Sequence, residues 1–159
     1  MMKIFLATDG SEFGEAAVDE IARWHHPADN EVRVISVVEP PHFMTTDPMG
    51  GFDMTIYDEI EKYALEVARS AVEKAAAKLR AAEGGRQLNI TTNVISGSPK
   101  EVILEGAEAF GADLIVVGSH GYGMVERFLL GSVSQAVALH AKCSVEIVRS
   151  SKTRTSESK

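Results

Sequence analysis

The sequence is short of cysteine and of long hydrophobic runs, and each shortage excludes a class of protein. Cys143 is the one cysteine among 159 residues, which excludes an intrachain disulfide, and one thiol with scattered histidines cannot assemble a structural zinc cluster. No apolar stretch approaches the roughly 18 residues of a membrane span, and the apolar run at the N-terminus is too short for a signal peptide. We therefore expect a cytoplasmic protein with no membrane partner.

Positive charge is also scarce. Sixteen Lys and Arg stand against 23 Asp and Glu, for a net charge of −7, so no broad positive surface is available to attract nucleic acid, and we expect no nucleic acid partner. Hydrophobic residues make up 45% and charged residues 25%, which is typical of one globular domain of this length. We assign the domain to residues 1–149 and predict a disordered tail at 150–159, where Ser, Thr and charged residues cannot bury a core.

Five apolar segments alternate with four patterns of helical periodicity. The predicted strands are residues 3–8, 31–38, 88–96, 113–117 and 144–148, and the predicted helices lie at 12–24, 54–82, 99–110 and 132–140. Ser98 and Glu101 are predicted to form a reciprocal cap at the third helix, and Gly111 to end it. Strands alternating with helices predict right-handed crossovers and a parallel sheet covered on both faces. The fold class is therefore α/β, a single doubly wound three-layer sandwich with a five-stranded parallel sheet.

Two further predictions concern the second helix and the segment before it. Residues 39–53 are rich in proline, glycine and methionine without periodicity, which indicates a long loop that could act as a lid. The helix after it has apolar residues at helical spacing and charged residues on the other side. The face predicted to be buried consists of Ile56, Ile60, Ala64, Val67, Ala71, Ala75 and Leu79.

A glycine-bearing loop follows the fourth strand. Gly118, Gly121 and Gly131, with Ser132 next, fit the spacing Gly-x2-Gly-x9-Gly-Ser. In open α/β sheets ligands bind at the carboxyl ends of the strands, and glycines followed by a helix N-terminus favour a phosphate group. The alternative is that the glycines only form turns and that Ser132 with Gln135 is an ordinary capping box. The phosphate-loop and dinucleotide-binding glycine patterns are both absent from the sequence.

Three segments together resemble the universal stress protein family of the ATP-binding type. They are Ala7-Thr8-Asp9-Gly10-Ser11, the loop from Gly118 to Ser134, and Cys143-Ser144-Val145-Glu146-Ile147-Val148-Arg149. The resemblance implies the strand order 3-2-1-4-5, an ATP site between the ends of strands one and four, and a homodimer through the last strand. It implies the following nucleotide-binding residues: Ala7, Thr8, Asp9, Val37, Val117, Gly118, His120, Gly121, Gly131, Ser132, Val133 and Ser134.

Single residues of this predicted site carry alternatives. Asp9 is predicted to hold Mg²⁺ or a ribose hydroxyl, because hard cations prefer oxygen ligands, and the alternative is an aspartate that only stabilises a turn. Ser132 and Ser134 are expected to add hydroxyl donors to a phosphate. His120 contacts a phosphate oxygen or faces solvent. Arg127 neutralises phosphate charge or is an ordinary solvated loop residue.

The function predicted is that of a cytoplasmic stress-response protein that binds an adenine nucleotide, ATP with Mg²⁺, as a nucleotide-dependent regulator. No general base or catalytic Lys is recognisable near the glycine loop, so any ATP hydrolysis or autophosphorylation is expected to be slow. Two alternatives stay open: a weak nucleotidyl- or phosphoryl-transfer enzyme, and a nucleotide-free dimeric regulatory scaffold.

Overall fold

The computed structural model describes residues 1–24, 29–40, 54–82, 88–122 and 130–150. The strands are β1 (Lys3–Ala7), β2 (Glu31–Val38), β3 (Asn89–Ser96), β4 (Leu114–Gly118) and β5 (Ser144–Val148). The helices are α1 (Glu12–Arg23), α2 (Met54–Ala81), α3 (Pro99–Phe110) and α4 (Ser132–His140). All nine predicted elements are confirmed, and their bounds differ from the prediction by one residue at most. The predicted lid residues 41–53, Arg127 and the tail residues 151–159 lie outside the described part of the chain.

The five strands form one parallel sheet in the order β3-β2-β1-β4-β5. This confirms the fold class and the strand order. The winding reverses between β1 and β4, which lie side by side with Ala7 opposite Val117. Their carboxyl ends therefore open into the crevice in which doubly wound sheets place their ligands.

Each face of the sheet has its own apolar core, because helices lie on both faces. On one face α1 and α2 pack against β-strand residues that include Ile4, Leu6 and Val34. On the other face α3 and α4 cover Phe5 and Ile115. Among the described residues, no helix has the length and hydrophobicity needed to cross a membrane.

The helix ends show which local signals the chain uses. Ser11 caps α1, and its hydroxyl accepts a hydrogen bond from the Gly14 amide at 3.2 Å. Gly111 ends α3 in the left-handed conformation at φ 69°, as predicted. The reciprocal cap predicted for α3 is wrong in one respect, since Ser98 occupies the N-cap position but its side chain makes no capping hydrogen bond.

The apolar face predicted for α2 is correct only in its second half. Ala71, Ala75 and Leu79 are buried, but Ile56 and Ile60 are 55% and 45% exposed. The reason is length: the 28 residues of α2 span about 42 Å, whereas the eight residues of β2 span about 26 Å. The first turns of α2 therefore extend beyond the sheet that its second half covers.

Candidate functional site

A cavity of about 270 Å³ opens at the carboxyl ends of β1 and β4. The structure brings all twelve residues of the predicted site to its wall: Ala7, Thr8, Asp9, Val37, Val117, Gly118, His120, Gly121, Gly131, Ser132, Val133 and Ser134. Residues far apart in sequence meet here because parallel strands end at the same edge of the sheet. The chemistry of the cavity differs from one side to the other.

The floor of the cavity is apolar. Ala7, Val37 and Val117 come from three strands, and buried Ile35 of β2 and Ile103 of α3 line the same cavity. These two isoleucines were not predicted as site residues, because a buried isoleucine in a strand or helix has no sequence signal that separates a pocket wall from ordinary core. Such a floor is suited to a flat, weakly polar group.

The N-terminus of α4 forms the polar side of the cavity. Gly131 is the N-cap, so Ser132, Val133 and Ser134 occupy the first turn, where amides have no carbonyl partner within the helix. The next amide, that of Gln135, bonds to the Gly131 carbonyl oxygen at 2.9 Å. The amides of the first turn and the helix dipole together favour an anion at this point. The alternative in which Ser132 is the N-cap of a capping box is wrong, since Gly131 holds that position.

The two serines of this turn have different roles. Ser132 is exposed at the cavity, whereas Ser134 is 3% exposed. The Ser134 hydroxyl donates to the carbonyl oxygens of Gly118 at 2.8 Å and Ser119 at 3.1 Å. The single hydroxyl proton of Ser134 is therefore used in these bonds to the glycine loop, contrary to the expectation that it would donate to a phosphate. Ser134 instead fixes α4 to the end of β4.

Gly118 and Gly121 of the motif lack a side chain for different structural reasons. A Cβ atom on Gly118 would lie 2.5 Å from the Phe13 carbonyl oxygen, a backbone atom of α1. Among the described residues, a Cβ atom on Gly121 would meet the Asp9 side chain, with its Oδ2 atom at 3.0 Å. Gly118 is thus needed where β4 ends against the start of α1, and Gly121 faces the site itself.

Asp9 joins the two halves of the site. Its Oδ1 atom accepts a hydrogen bond from the Ser11 amide at 2.9 Å, and its Oδ2 atom accepts one from the Tyr122 amide at 3.2 Å. The hydrogen bond from the Ser11 amide stabilises the turn before α1, which is the alternative role that the sequence allowed for Asp9. The carboxylate still lines the cavity and keeps acceptor capacity, since two ionised oxygens offer about four lone-pair sites.

A divalent cation fits this donor set only together with a ligand. Within the described ranges, no group of three or more His, Cys, Asp or Glu side chains could hold a metal ion. Mg²⁺ is commonly bound by one or two carboxylates together with the phosphates of a substrate. Asp9 supplies one carboxylate beside the anion-binding turn, so it fits a magnesium ion that arrives with a nucleotide.

His120 lies at the cavity wall beside α1. Its ring packs against Phe13 with the centroids 5.0 Å apart, and its Nδ1 atom is 3.1 Å from the Ser119 hydroxyl. The wall also includes Gly14, Pro99 and Tyr122, which were not predicted. Tyr122 lies within the glycine loop, so the motif could have indicated it, whereas Gly14 and Pro99 join the wall only through tertiary packing.

Known proteins share this arrangement of strands and loops. The family model described as the universal stress protein family matches residues 1–149. A universal stress protein of Methanocaldococcus jannaschii is 34% identical over 150 residues, which cover 94% of this chain and 83% of the relative. The structure of universal stress protein UspA from Lactobacillus plantarum matches with a TM-score of 0.74 at 24% identity, covering 93% of this chain and 97% of that one. A crystal structure of a universal stress protein in complex with cAMP matches with a TM-score of 0.61 at 26% identity, covering 94% and 98%.

Proposed function

The chain belongs to the universal stress protein family, and from this premise we propose that it binds ATP with Mg²⁺ in the cavity at the ends of β1 and β4. In this proposal it acts in the cytoplasm as a nucleotide-dependent regulator of the stress response. Turnover of the nucleotide by hydrolysis or autophosphorylation is slow at most.

The observation that carries the proposal is the division of one cavity into an apolar floor and an anion-binding turn. The adenine lies on the floor formed by Ala7, Val37 and Val117, and the phosphates lie at the amides of Ser132 and Val133. The donors that the described wall offers to the phosphates are the main-chain amides of the first turn of α4. The similar structure that was solved in complex with cAMP supports an adenine nucleotide as the class of ligand.

Asp9 is the residue proposed to hold Mg²⁺. The bound metal ion would neutralise phosphate charge. In the described wall, the other groups that favour the phosphates are main-chain amides and the dipole of α4. Asp9 also orders the turn before α1 through the Ser11 amide. An Asn at this position keeps an oxygen acceptor for that turn and removes the negative charge.

The test is a nucleotide titration of the purified protein, by calorimetry and by thermal unfolding, with ATP, AMP and GTP and with or without Mg²⁺. A ligand that binds only the folded state stabilises it by about 2.7 kcal/mol at a hundredfold excess over Kd. We expect this stabilisation with ATP and Mg²⁺, its loss in Gly121→Val, and a loss of the Mg²⁺ dependence alone in Asp9→Asn. Lys100→Glu on the exposed surface of α3 is the matched control. Absence of any nucleotide effect on the folded wild-type protein would refute the proposal.

A homodimer through β5 is the second part of the proposal. Within the described sheet β5 pairs with β4 on one side and is the outermost strand on the other. Its free edge offers main-chain donors and acceptors to a second copy. A proline at Val145, inside the strand, is expected to prevent that pairing, and sedimentation of the variant measures it.

A further inference from the structure

The exposed part of α2 carries an apolar stripe. Ile56, Ile60, Tyr63 and Val67, here called the α2 ridge, follow one another at intervals of four, three and four residues and are 55%, 45%, 70% and 38% exposed. This spacing places all four on one side of the helix. A contiguous exposed apolar surface of this kind usually marks an interaction site.

A groove lies beside the second half of the same helix. It separates α2 from α1, has a volume of about 370 Å³, and is lined by apolar residues that include Val18, Ala71 and Ala75. Lys74 stands at its rim, 11 residues after Tyr63. Since 11 residues make about three helical turns, Lys74 and the ridge lie along one line on the surface of α2. The ridge and the groove are therefore presented in the same direction.

The charges of α2 change sign between its two halves. Residues 56–67 contain four acidic residues and one basic residue, and residues 68–81 contain four basic residues and one acidic residue. By helical spacing, the charges nearest the ridge are Glu59 and Glu66 in the first half and Lys74 and Lys78 in the second half. The other four charges, Asp58, Glu61, Arg69 and Arg80, lie toward the opposite side of the helix. The helix dipole does not account for this distribution, because the first turn of α2 has no acidic residue.

We propose that the α2 ridge is the docking surface for a second copy of this chain. Two α2 helices that run antiparallel, with the two-fold axis between Val67 and Ser70, place the ridge of each copy against the α1–α2 groove of the other. The same arrangement brings the acidic half of each helix beside the basic half of its partner. Such an isologous contact uses one surface patch twice, and it requires the patch to be complementary to itself in shape and in charge.

This contact is separate from the β5 edge. Its groove shares Thr8, Asp9 and Tyr122 with the wall of the nucleotide cavity, so the contact is tested without nucleotide. A chain with two different isologous interfaces forms either a closed tetramer or an open row of copies. Cross-linking at a defined position distinguishes the α2 contact from any pairing of β5. The Cys143→Ser variant provides the background, since Cys143 is the one native thiol.

In that background, Val67→Cys places one thiol of each copy next to the axis, and oxidation is expected to yield disulfide-linked dimers. Ile56→Cys is the control for orientation, because thiols 12 to 13 residues from the axis on antiparallel helices lie about 37 Å apart. It should cross-link at least about tenfold more slowly than Val67→Cys, whereas parallel helices would bring both pairs together. Equal rates at the two positions would overturn the antiparallel arrangement.

The apolar contact is tested by Ile60→Asp in the Val67→Cys background. We expect at least a tenfold loss of cross-linking, because a charge on the ridge would be buried against the groove of the other copy. Leu139→Asp on α4 is the matched control, since Leu139 is also a strongly exposed apolar helix residue. Both positions are exposed, so neither variant is expected to unfold.

The charge contact is tested by reversal and rescue. Glu59→Lys and Lys74→Glu should each weaken cross-linking at residue 67 by about tenfold, because each affects two symmetry-related pairs in a dimer. The double variant restores opposite charges across the axis and should return to the wild-type rate. Additive loss in the double variant would overturn the proposal. So would an absence of cross-linking at millimolar concentration, which would mean that something else covers the ridge.

Discussion

Replacing Gly118 by alanine is expected to destabilise the fold even without a ligand. The added Cβ atom would lie 2.5 Å from the carbonyl oxygen and 2.6 Å from the carbonyl carbon of Phe13, where ordinary contacts are 3.4–4 Å. These are backbone atoms of α1, so relief requires the helix to move away from the end of β4. Overpacking against a rigid neighbour costs about 2–3 kcal/mol, which lowers Tm by about 4–12 °C in a domain of this size.

Gly121→Ala is the matched comparison. Its Cβ atom would lie 3.0 Å from the Oδ2 atom of Asp9, a side-chain atom that needs to shift by only a few tenths of an ångström. The free energy of unfolding should therefore change by less than about 0.5 kcal/mol, although the cavity is narrowed. Urea and thermal unfolding of both variants, followed by circular dichroism without nucleotide, measure the difference. A Tm for Gly118→Ala within about 1 °C of the wild-type value would refute the packing argument.

Two further changes follow from the described contacts. Ser134→Ala removes a buried hydroxyl shared by two carbonyl oxygens and should cost about 1 kcal/mol in urea unfolding, whereas the exposed Ser132→Ala should cost less than about 0.5 kcal/mol; equal effects would contradict the assigned roles. Burial, and secondarily the charge of Glu20, raises the pKa of Glu146 from its ordinary value of 4.5. The folded state thus binds the proton more tightly than the unfolded state, and stability falls as the pH rises from about 4.5 through the folded-state pKa. Glu146→Gln should therefore be the more stable protein at pH 7, and thermal unfolding should show that advantage shrinking below pH 5.

The architecture could be predicted from the sequence because local signals and the order of the elements agree. Buried parallel strands are short and almost uniformly apolar, as in the Leu-Ile-Val-Val run of β4. Glycine and proline mark the ends of α3, where Pro99 opens the helix and Gly111 closes it. With nine elements in alternation, the handedness rule for crossovers leaves few topologies. The strand order itself came from the resemblance to a family.

Twelve residues that line the cavity could be named from sequence, but the contacts that each of them makes could not. Spacing predicts that Gly118, Gly121 and Ser134 belong to one site, and the three residues line one cavity. It does not indicate that a Gly118 side chain would strike α1, or that the Ser134 hydroxyl is occupied by two carbonyl oxygens. Those roles depend on the distance between elements that are remote in sequence. A motif thus predicts where a site lies more reliably than it predicts which atoms face the ligand.

The misjudged face of α2 shows how element lengths could have improved the prediction. Periodicity reports which residues share a side of a helix, but burial needs a second surface of matching length. The helix exceeds its neighbouring strands by about 16 Å, close to three turns, and these turns hold Ile56, Ile60 and Tyr63. The buried half is lined with alanine, which lets α2 lie close to the sheet, while larger apolar residues occur beyond the sheet edge. Small residues over the sheet and large ones past its edge indicate that the protruding half of α2 is shaped for contact with another surface.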